Sequence, residues 1–286
     1  MDSGGPPTAG AGGSLVAGAG GGARAGGAGG NTGTSATAGA TATDAGGEAG
    51  VGEDGGAEVM DGGAGKDAGP PRPFDLSIWL LQLPIGSGTS PITVAPPALA
   101  TFSNIYFYRA DDGGQMFMDP ATGITTSGSV HPRTELRESN ATGGAADWSP
   151  AGTNTMTVTG KVTKGGRITI AQVFNGPQSI PLGELQYSSS GFTLLYEEAK
   201  GGGVSTGLGN AVPLNSNYTF TMGLSKNVLT VSINGKQVYS HTPSAAILGS
   251  KFYFKVGNYD QTSTKGTPGT TANSIVEVYG VDVAHQ

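Results

Sequence analysis

Arginine, glutamine, lysine and tyrosine recur at alternate positions in three short segments, which is the spacing that brings side chains to one face of a β-strand. The segments span residues 131–138, 170–174 and 252–261. Their polar faces carry His131, Arg133, Glu135, Arg137, Gln172, Phe174, Tyr253, Lys255, Tyr259 and Gln261. Guanidinium and amide groups bind carboxylates, and a phenol can exchange a proton with a bound ligand. These residue types therefore suit acid–base chemistry on an anionic ligand.

Two interpretations of these faces are open. Each face can be solvated on its own, with residues 133–137 forming a ladder of surface charge. Alternatively, the three faces line one groove that binds an anionic polymer, and Gly257 lets that polymer approach the backbone. A free tyrosine has a pKa near ~10, so Tyr259 acts as a base only where cations lower that value. Lys255 and Arg137 are the candidates for this role.

The elements that must position these residues are strands. Period-2 alternation recurs from residue 74 onward, and helical periodicity does not. The many short strands are separated by Gly, Asn, Pro and Ser, and Asn234-Gly235 is predicted to form a tight hairpin turn. This pattern indicates an all-β domain, a two-sheet sandwich or a jelly roll. The predicted strands cover residues 155–159, 167–173, 192–196, 218–222, 228–233, 236–239, 252–259 and 274–283.

The chain divides into two parts by composition. Residues 1–72 consist almost wholly of Gly, Ala, Thr and Ser with scattered acids. Such a segment buries too little apolar surface to offset the entropy of ordering its backbone, so we predict a disordered tether. Residues 73–286 open with the apolar cluster 74–81 and are long enough for one domain with its own core. We expect an export signal to precede Met1, and the protein to be secreted or tethered to the cell surface.

Several classes of function lack support in the composition. The formal net charge is −6 and Lys and Arg form no run, so nothing indicates nucleic-acid binding. No apolar stretch reaches the ~18 residues that a membrane helix needs. Cysteine is absent, which rules out a thiolate metal site, and no other metal-ligand spacing is found. We expect no metal, no cofactor and a monomer.

The same three segments resemble the alginate lyases of polysaccharide lyase family 7. That family carries R-[ST]-E-L-R, Q-[IV]-H and Y-F-K-A-G-x-Y-x-Q. This chain has, in the same order, RTELRE at 133–138, QVF at 172–174 and YFKVGNYDQ at 253–261. The opening FDLSIWLLQLP also resembles the family's first strand, so the likeness covers residues 74–286. The resemblance implies a β-jelly roll, a two-sheet antiparallel sandwich with a concave substrate cleft.

The resemblance also implies roles for individual residues. It assigns catalysis to Tyr259, Arg133 and Gln172, in the cleavage of 4-linked uronic-acid polymers such as alginate by β-elimination. The expected partner is therefore an anionic polysaccharide. The further residues expected to contact it are His131, Glu135, Arg137, Lys255, Gln261, Phe174 and Asn175.

One position departs from the family pattern, because Phe174 occupies the place of the family's histidine. In β-D-mannuronate and β-D-glucuronate the C5 proton and O4 are syn, so one tyrosine can serve as base and acid. In α-L-guluronate they are anti, which requires a second base that phenylalanine cannot supply. We therefore expect a preference for mannuronate-type or glucuronate-type linkages, unless His131 supplies that base. Phe174 itself is either a sugar-stacking platform or core filling.

Two further hypotheses belong to other functional classes. A non-catalytic carbohydrate-binding module that lost the histidine would bind a polyuronate and release no unsaturated product. A structural surface domain on a Gly/Ala stalk would do neither. The joint presence of Arg133, Gln172 and Tyr259 favours catalysis, because binding alone does not require the tyrosine.

Overall fold

The computed structural model describes residues 73–140 and 142–286, so the predicted tether of residues 1–72 lies outside the described residues. The described chain is almost entirely β-structure and forms two large antiparallel sheets. Its helical content is one 3₁₀ turn at Ala98–Ala100 and one α-helical turn at Ala245–Leu248. The prediction of an all-β, two-sheet antiparallel sandwich is confirmed.

The larger sheet has eight strands and contains all three segments with alternating polar residues. In chain order its strands are β1 (Trp79–Ser87), β2 (Ser90–Val94), β6 (Thr134–Glu138), β8 (Ile168–Asn175), β9 (Ile180–Ser188), β10 (Gly191–Tyr196), β11 (Val204–Gly209) and β15 (Phe252–Asp260). Their hydrogen-bonded order is β11-β10-β9-β8-β15-β6-β1-β2. Strands β6, β15 and β8, which are distant in sequence, are therefore neighbours at the centre of the sheet.

The second large sheet has seven strands and covers the other side of the core. Its strands are β3 (Phe107–Arg109), β4 (Gln115–Pro120), β7 (Asn154–Lys164), β12 (Tyr218–Ser225), β13 (Val228–Ile233), β14 (Lys236–His241) and β17 (Ala272–His285). Their order is β14-β13-β12-β7-β17-β4-β3. A short parallel pair, β5 (Thr122–Gly123) and β16 (Thr264–Lys265), stands apart from both sheets.

The core fills the space between the two large sheets. On β6 and β15, Leu136 and Phe254 are fully buried, as the alternation predicts. Phe220 and Met222 of β12 belong to the same buried cluster from the other sheet. Burial of each such side chain contributes roughly 1.5–3 kcal/mol, so this layer fixes which face of each strand remains for the ligand.

The predicted hairpin between β13 and β14 is present. Asn234 and Gly235 adopt φ values of 49° and 80°, the left-handed pair that a tight two-residue turn requires. Among the described residues, no helix is long and apolar enough to cross a membrane.

Candidate active site

A cleft of about 610 Å³ lies on the face of the eight-stranded sheet that is turned away from the core. Across its floor, Glu184, Gln172, Lys255 and Arg137 pair in register on four neighbouring strands. The structure therefore brings the three polar faces into one groove, and the interpretation of separately solvated faces is wrong. The other residues around the cleft are Gln82, Thr126, Ser127, Gly128, Ser129, Arg133, Glu135, Phe174, Ser179, Pro181, Glu197, Lys200, Tyr253 and Tyr259.

The buried carboxylate of Glu135 organises the polar groups of the cleft floor. One oxygen, Oε2, lies 3.1 Å from Nη1 of Arg133 and 3.6 Å from Nζ of Lys255. The other, Oε1, accepts a hydrogen bond of 2.7 Å from Nε2 of Gln172. Glu135 thus fixes the positions of the groups expected to hold a substrate carboxylate. One amide hydrogen of Gln172 and one hydrogen on each Nη of Arg133 have no acceptor among the described residues.

Tyr259 lies directly against the Arg133 side chain. The guanidinium carbon is 3.7 Å from the centre of the phenol ring, and the phenol oxygen is 2.9 Å from Oγ of Ser129. Burial raises the pKa of Tyr259 above its usual value, while the Arg133 charge and the Ser129 contact act in the opposite direction. An arginine, an amide and a phenol from three separate segments of the chain therefore converge on one region of the cleft.

Tyr259 lies on the same face of β15 as Tyr253 and Lys255. Val256 pairs with Ala171 but Tyr259 pairs with Thr169, so β15 contains one residue more than β8 over this interval, a β-bulge. Pairing with β6 is regular from Lys255 to Asn258, so the alternation of faces along β15 is unbroken. Asn258 therefore faces the core, where its Nδ2 donates to the carbonyl of Phe117 at 3.0 Å, and Tyr259 faces the cleft, as the alternation predicts.

Gly257 serves this bulge and not the substrate, which corrects the expectation from the sequence. Its φ is +146°, and a Cβ there would lie 2.6 Å from the carbonyl oxygen of Thr134 and 2.9 Å from Cα of Glu135. A side chain is therefore excluded by the neighbouring strand β6, on which Thr134 and Glu135 lie.

The alginate lyase family model matches residues 74–285 of the chain. The chain belongs to the alginate lyase family. Among solved structures it is similar to an alginate lyase of Pseudomonas aeruginosa, with 27% identity, a TM-score of 0.67, and coverage of 74% of this chain and 100% of that one. An alginate lyase of Corynebacterium sp. has 25% identity, a TM-score of 0.66, and coverage of 76% and 99%. Comparison with curated protein sequences finds no match.

Alginate lyase A1-II′, described as a member of polysaccharide lyase family 7, shares 28% identity at a TM-score of 0.64, with coverage of 74% of this chain and 96% of that one. A doubly substituted A1-II′ has been solved in complex with a substrate, GGMG. These similarities confirm the predicted β-jelly roll and the membership in family 7. The protein is a polysaccharide lyase.

Phe174, at the position of the family's histidine, makes a cation–π contact with Lys255. Nζ of Lys255 lies 3.8 Å from the ring centre of Phe174, and the ring of Tyr253 packs against Phe174 at 5.2 Å. Burial lowers the pKa of Lys255 to about 8, although the nearby Glu135 opposes the shift. Phe174 is half-buried and lines the cleft, so it is not core filling. A ring at this place offers an apolar surface to a sugar.

Three expected contact residues, Asn175, Gln261 and His131, are not among the residues around the cleft. Asn175 is fully buried, and its Oδ1 accepts from the Gln178 amide at 3.2 Å and from Oγ of Ser250 at 2.7 Å. It therefore holds the turn after β8 and has no part in carboxylate binding. Gln261 follows the end of β15, where its side-chain amide donates to the carbonyl of Tyr259 at 3.0 Å, and it is not among the residues around the cleft.

His131 stands behind Tyr259 and outside the set of residues around the cleft. The two rings meet edge to face with centres 5.9 Å apart. Nδ1 of His131 lies 2.6 Å from the carbonyl oxygen of Ser263. Because a carbonyl only accepts, the hydrogen of the neutral imidazole resides on Nδ1. The imidazole is therefore held beside the phenol of Tyr259 and does not line the cleft.

Sequence reasoning missed Ser129 and Glu184. Ser129 lies in the loop before β6 and contacts both Arg133 and Tyr259, yet no alternation marks it. Glu184 lies opposite Gln172 on β9, and burial raises its pKa, an effect that the Arg133 charge opposes. The alternation of β9 carried information on Glu184, because Glu184 and Gln186 alternate with the buried Leu185 and Tyr187.

Proposed function

We propose that this polysaccharide lyase cleaves alginate at mannuronate-type linkages, or related glucuronate-type linkages, by β-elimination with Tyr259 as both base and acid. The observation that carries the proposal is the contact between the Tyr259 ring and the Arg133 guanidinium, at 3.7 Å, beside an amide held on the same carboxylate. This arrangement offers a carboxylate-binding pair and a proton-transfer group to one sugar ring.

The proposed reaction moves one proton and breaks one carbon–oxygen bond. Arg133 and Gln172 bind the uronate carboxylate and stabilise the negative charge that develops there as C5 loses its proton. Ionised Tyr259 takes the C5 proton, and the electron pair forms the C4=C5 double bond while the C4–O4 bond breaks. The phenol then returns the proton to O4 of the departing chain. Atoms and charges balance, and Tyr259 ends the cycle ionised as it began.

The charges around the cleft favour this use of the phenol. Arg133 lies on the ring, and a cation in direct contact lowers the cost of the phenolate. Bound polymer also excludes water from the cleft, which strengthens the interaction between the guanidinium and the charges that develop. Arg137 and Lys200, also in the cleft, are suited to the carboxylates of neighbouring sugars.

The linkage preference rests on Phe174. A syn arrangement of the C5 proton and O4 needs one proton-transfer group, and Tyr259 supplies it. An anti arrangement needs a base on the opposite side of the sugar, and the aromatic ring of Phe174 has no acceptor for that proton. We therefore propose that polyguluronate is the poorer substrate.

Location and assembly belong to the same proposal. A Gly/Ala-rich segment of 72 residues before the catalytic domain suits a spacer between a cell surface and an external polymer. We propose a secreted or surface-tethered monomer that meets its polymer outside the cell.

The test is an ultraviolet assay for the unsaturated product on polymannuronate, polyguluronate and glucuronan. Tyr259→Phe removes one hydroxyl and is expected to reduce turnover by at least ~100-fold, the contribution of a positioned acid or base. The matched control is Tyr279→Phe, because the Tyr279 hydroxyl donates to Asp112 at 2.8 Å from the other sheet. This control is expected to keep full activity.

Three results would overturn parts of the proposal. Saturable binding of polyuronate by the wild-type protein with no product would indicate the non-catalytic module. Faster cleavage of polyguluronate than of polymannuronate would remove the linkage preference. Undiminished turnover by Tyr259→Phe would remove the tyrosine mechanism.

A further inference from the structure

The hydroxyl of Ser129 lies at the meeting point of the two groups that the elimination needs. Its Oγ is 2.9 Å from the phenol oxygen of Tyr259 and 3.1 Å from Nη2 of Arg133. The same Oγ is 2.8 Å from the carbonyl oxygen of His131 and 3.3 Å from the backbone nitrogen of that residue. Four polar atoms therefore surround one hydroxyl group.

Only one arrangement of hydrogens satisfies these contacts while Tyr259 is neutral. Ser129 has a single hydroxyl hydrogen, and the carbonyl of His131 can only accept, so Ser129 donates to that carbonyl. The phenol of Tyr259 and the guanidinium of Arg133 must then donate to Ser129. In this state the serine holds the neutral phenol in place.

The arrangement cannot persist when Tyr259 is ionised. A phenolate has no hydrogen to donate, and a serine lone pair would face its negative oxygen at 2.9 Å. Rotation about the Cβ–Oγ bond removes this repulsion, because the serine hydrogen then points at the phenolate. No heavy atom needs to move, and a hydrogen bond to a charged oxygen is stronger than the bond to the carbonyl that it replaces.

We propose that Ser129 is the positioning residue for Tyr259, and that its hydroxyl hydrogen alternates between the His131 carbonyl and the phenolate oxygen as Tyr259 gains and loses the substrate proton. This inference rests on the proposed function and deepens it. The serine transfers no proton itself, since the carbonyl at the end of the chain cannot take one. It keeps the phenol oxygen at one position in both charge states.

The surroundings of Tyr259 leave few other groups to do this. Arg133, just before β6, supplies a fixed positive charge on the ring, while Glu135 on β6 and Glu184 on β9 oppose ionisation. The His131 ring meets the phenol by its edge, with its own Nδ1 hydrogen committed to Ser263. Among the described residues, Ser129 is the hydrogen-bond partner of the phenol oxygen.

The primary test measures the pKa of Tyr259 in the wild type and in Ser129→Ala by ultraviolet titration. In each case the titration of the same protein with Tyr259→Phe is subtracted, so that the difference reports Tyr259 alone. Loss of the serine hydrogen bond is expected to raise the pKa of Tyr259 by roughly one to two pH units. This change corresponds to the free energy of one hydrogen bond to a charged group. Ser129→Thr keeps the hydroxyl and is expected to restore the wild-type value. The titration needs no substrate, so it tests this inference even where no polymer is cleaved.

Turnover supplies the second readout. Ser129→Ala is expected to lower kcat about tenfold or more at neutral pH, to leave KM nearly unchanged, and to move the acid limb of the pH profile to higher pH. The matched control is Ser225→Ala, because Oγ of Ser225 also bonds the main chain, at 2.9 Å from both the nitrogen and the oxygen of Asn154. This control loses comparable hydrogen bonds and is expected to leave the Tyr259 pKa and the pH profile unchanged.

The inference is overturned if Ser129→Ala titrates Tyr259 like the wild type, or if Ser225→Ala shifts it equally. If Ser129→Ala does not fold, Ser129→Cys takes its place, since a thiol is a similar size and a weaker donor. A shift in the same direction supports the inference, and an unchanged titration overturns it. An inactive wild-type protein would instead count against the proposed function alone.

Discussion

At the scale of the residue, Phe174 is the position on which the proposed linkage preference depends. The ring occupies the family's histidine position and has the Lys255 ammonium 3.8 Å from its centre. A histidine at the same place would lie beside that cation, and a like charge disfavours its protonation. Its neutral form, which is the base, would therefore predominate at neutral pH.

We expect Phe174→His to create activity on polyguluronate. The new imidazole supplies the base on the side of the sugar opposite Tyr259, and a positioned base is worth at least ~100-fold in rate. Initial rates of unsaturated product on polyguluronate and polymannuronate measure the change in preference. Phe174→Gln is the control, because it introduces polar atoms at the same site without a group that takes protons at neutral pH. Equal rates for the two variants on polyguluronate would contradict the explanation of the linkage preference.

At the scale of the element, the end of β15 connects the core to the cleft through residues on its two faces. Asn258 is fully buried and bonds Phe117 and Ser274, while the next residue, Tyr259, faces the ligand. Gly257 makes this possible because strand β6 leaves no space for a side chain at its Cα. The position of the phenol therefore depends on Gly257, which packs against β6.

Gly257→Ala is expected to destabilise the protein by at least ~2 kcal/mol. A non-glycine residue at a φ of +146° costs on the order of 1–3 kcal/mol, and the new Cβ would also lie 2.6 Å from the carbonyl of Thr134. Denaturant unfolding measures the loss. Gly280→Ala in β17 is the matched control, since a Cβ there meets nothing within 4 Å, and we expect its free energy of unfolding to stay within ~1 kcal/mol of wild type. Similar losses of unfolding free energy in both variants would contradict the role given to Gly257.

Strand β15 shows which structural features the sequence predicts and which it does not. Alternation along 252–256 correctly separated the buried Phe254 from the cleft residue Lys255. It did not identify the extra residue in β15, because a bulge is defined by the partner strand and leaves no pattern in its own. It also placed Asn175 with the ligand, whereas the side chain turns to Gln178 and Ser250 at the strand end. Loop contacts such as those of Ser129 depend on the tertiary fold and have no periodicity to reveal them.

At the scale of the whole molecule, two packed sheets hold charged groups that water would otherwise solvate. Arg133, Glu135 and Lys255 are each less than a tenth exposed. Burial of charge costs stability even when ion pairs form, and the gain is a cleft whose cations are already held in place by Glu135. Residues 1–72 lie outside the described residues, so their disorder stays a prediction.

The effect of Lys255 on stability has a definite pH dependence. Its pKa is about 8 in the folded protein and 10.5 without burial, so folding favours the neutral amine. Below pH ~8 both states carry the proton, and the buried charge costs about 3 kcal/mol. Between these values the unfolded state binds more protons, so the stability of the wild type rises with pH. Above pH ~10.5 the cost is gone, because the amine is neutral in both states.

Lys255→Met is therefore expected to stabilise the protein by up to about 3 kcal/mol at pH 7, while it removes a cation from the cleft and lowers activity. The gain should shrink as pH rises from 8 and vanish near pH 10.5, as measured by urea unfolding at a series of pH values. Lys251→Met, at an exposed position just before the same strand, is the control and should change stability little at any pH. A Lys255→Met gain that stays constant across this range would mean that packing, and not the buried charge, sets the stability of this site.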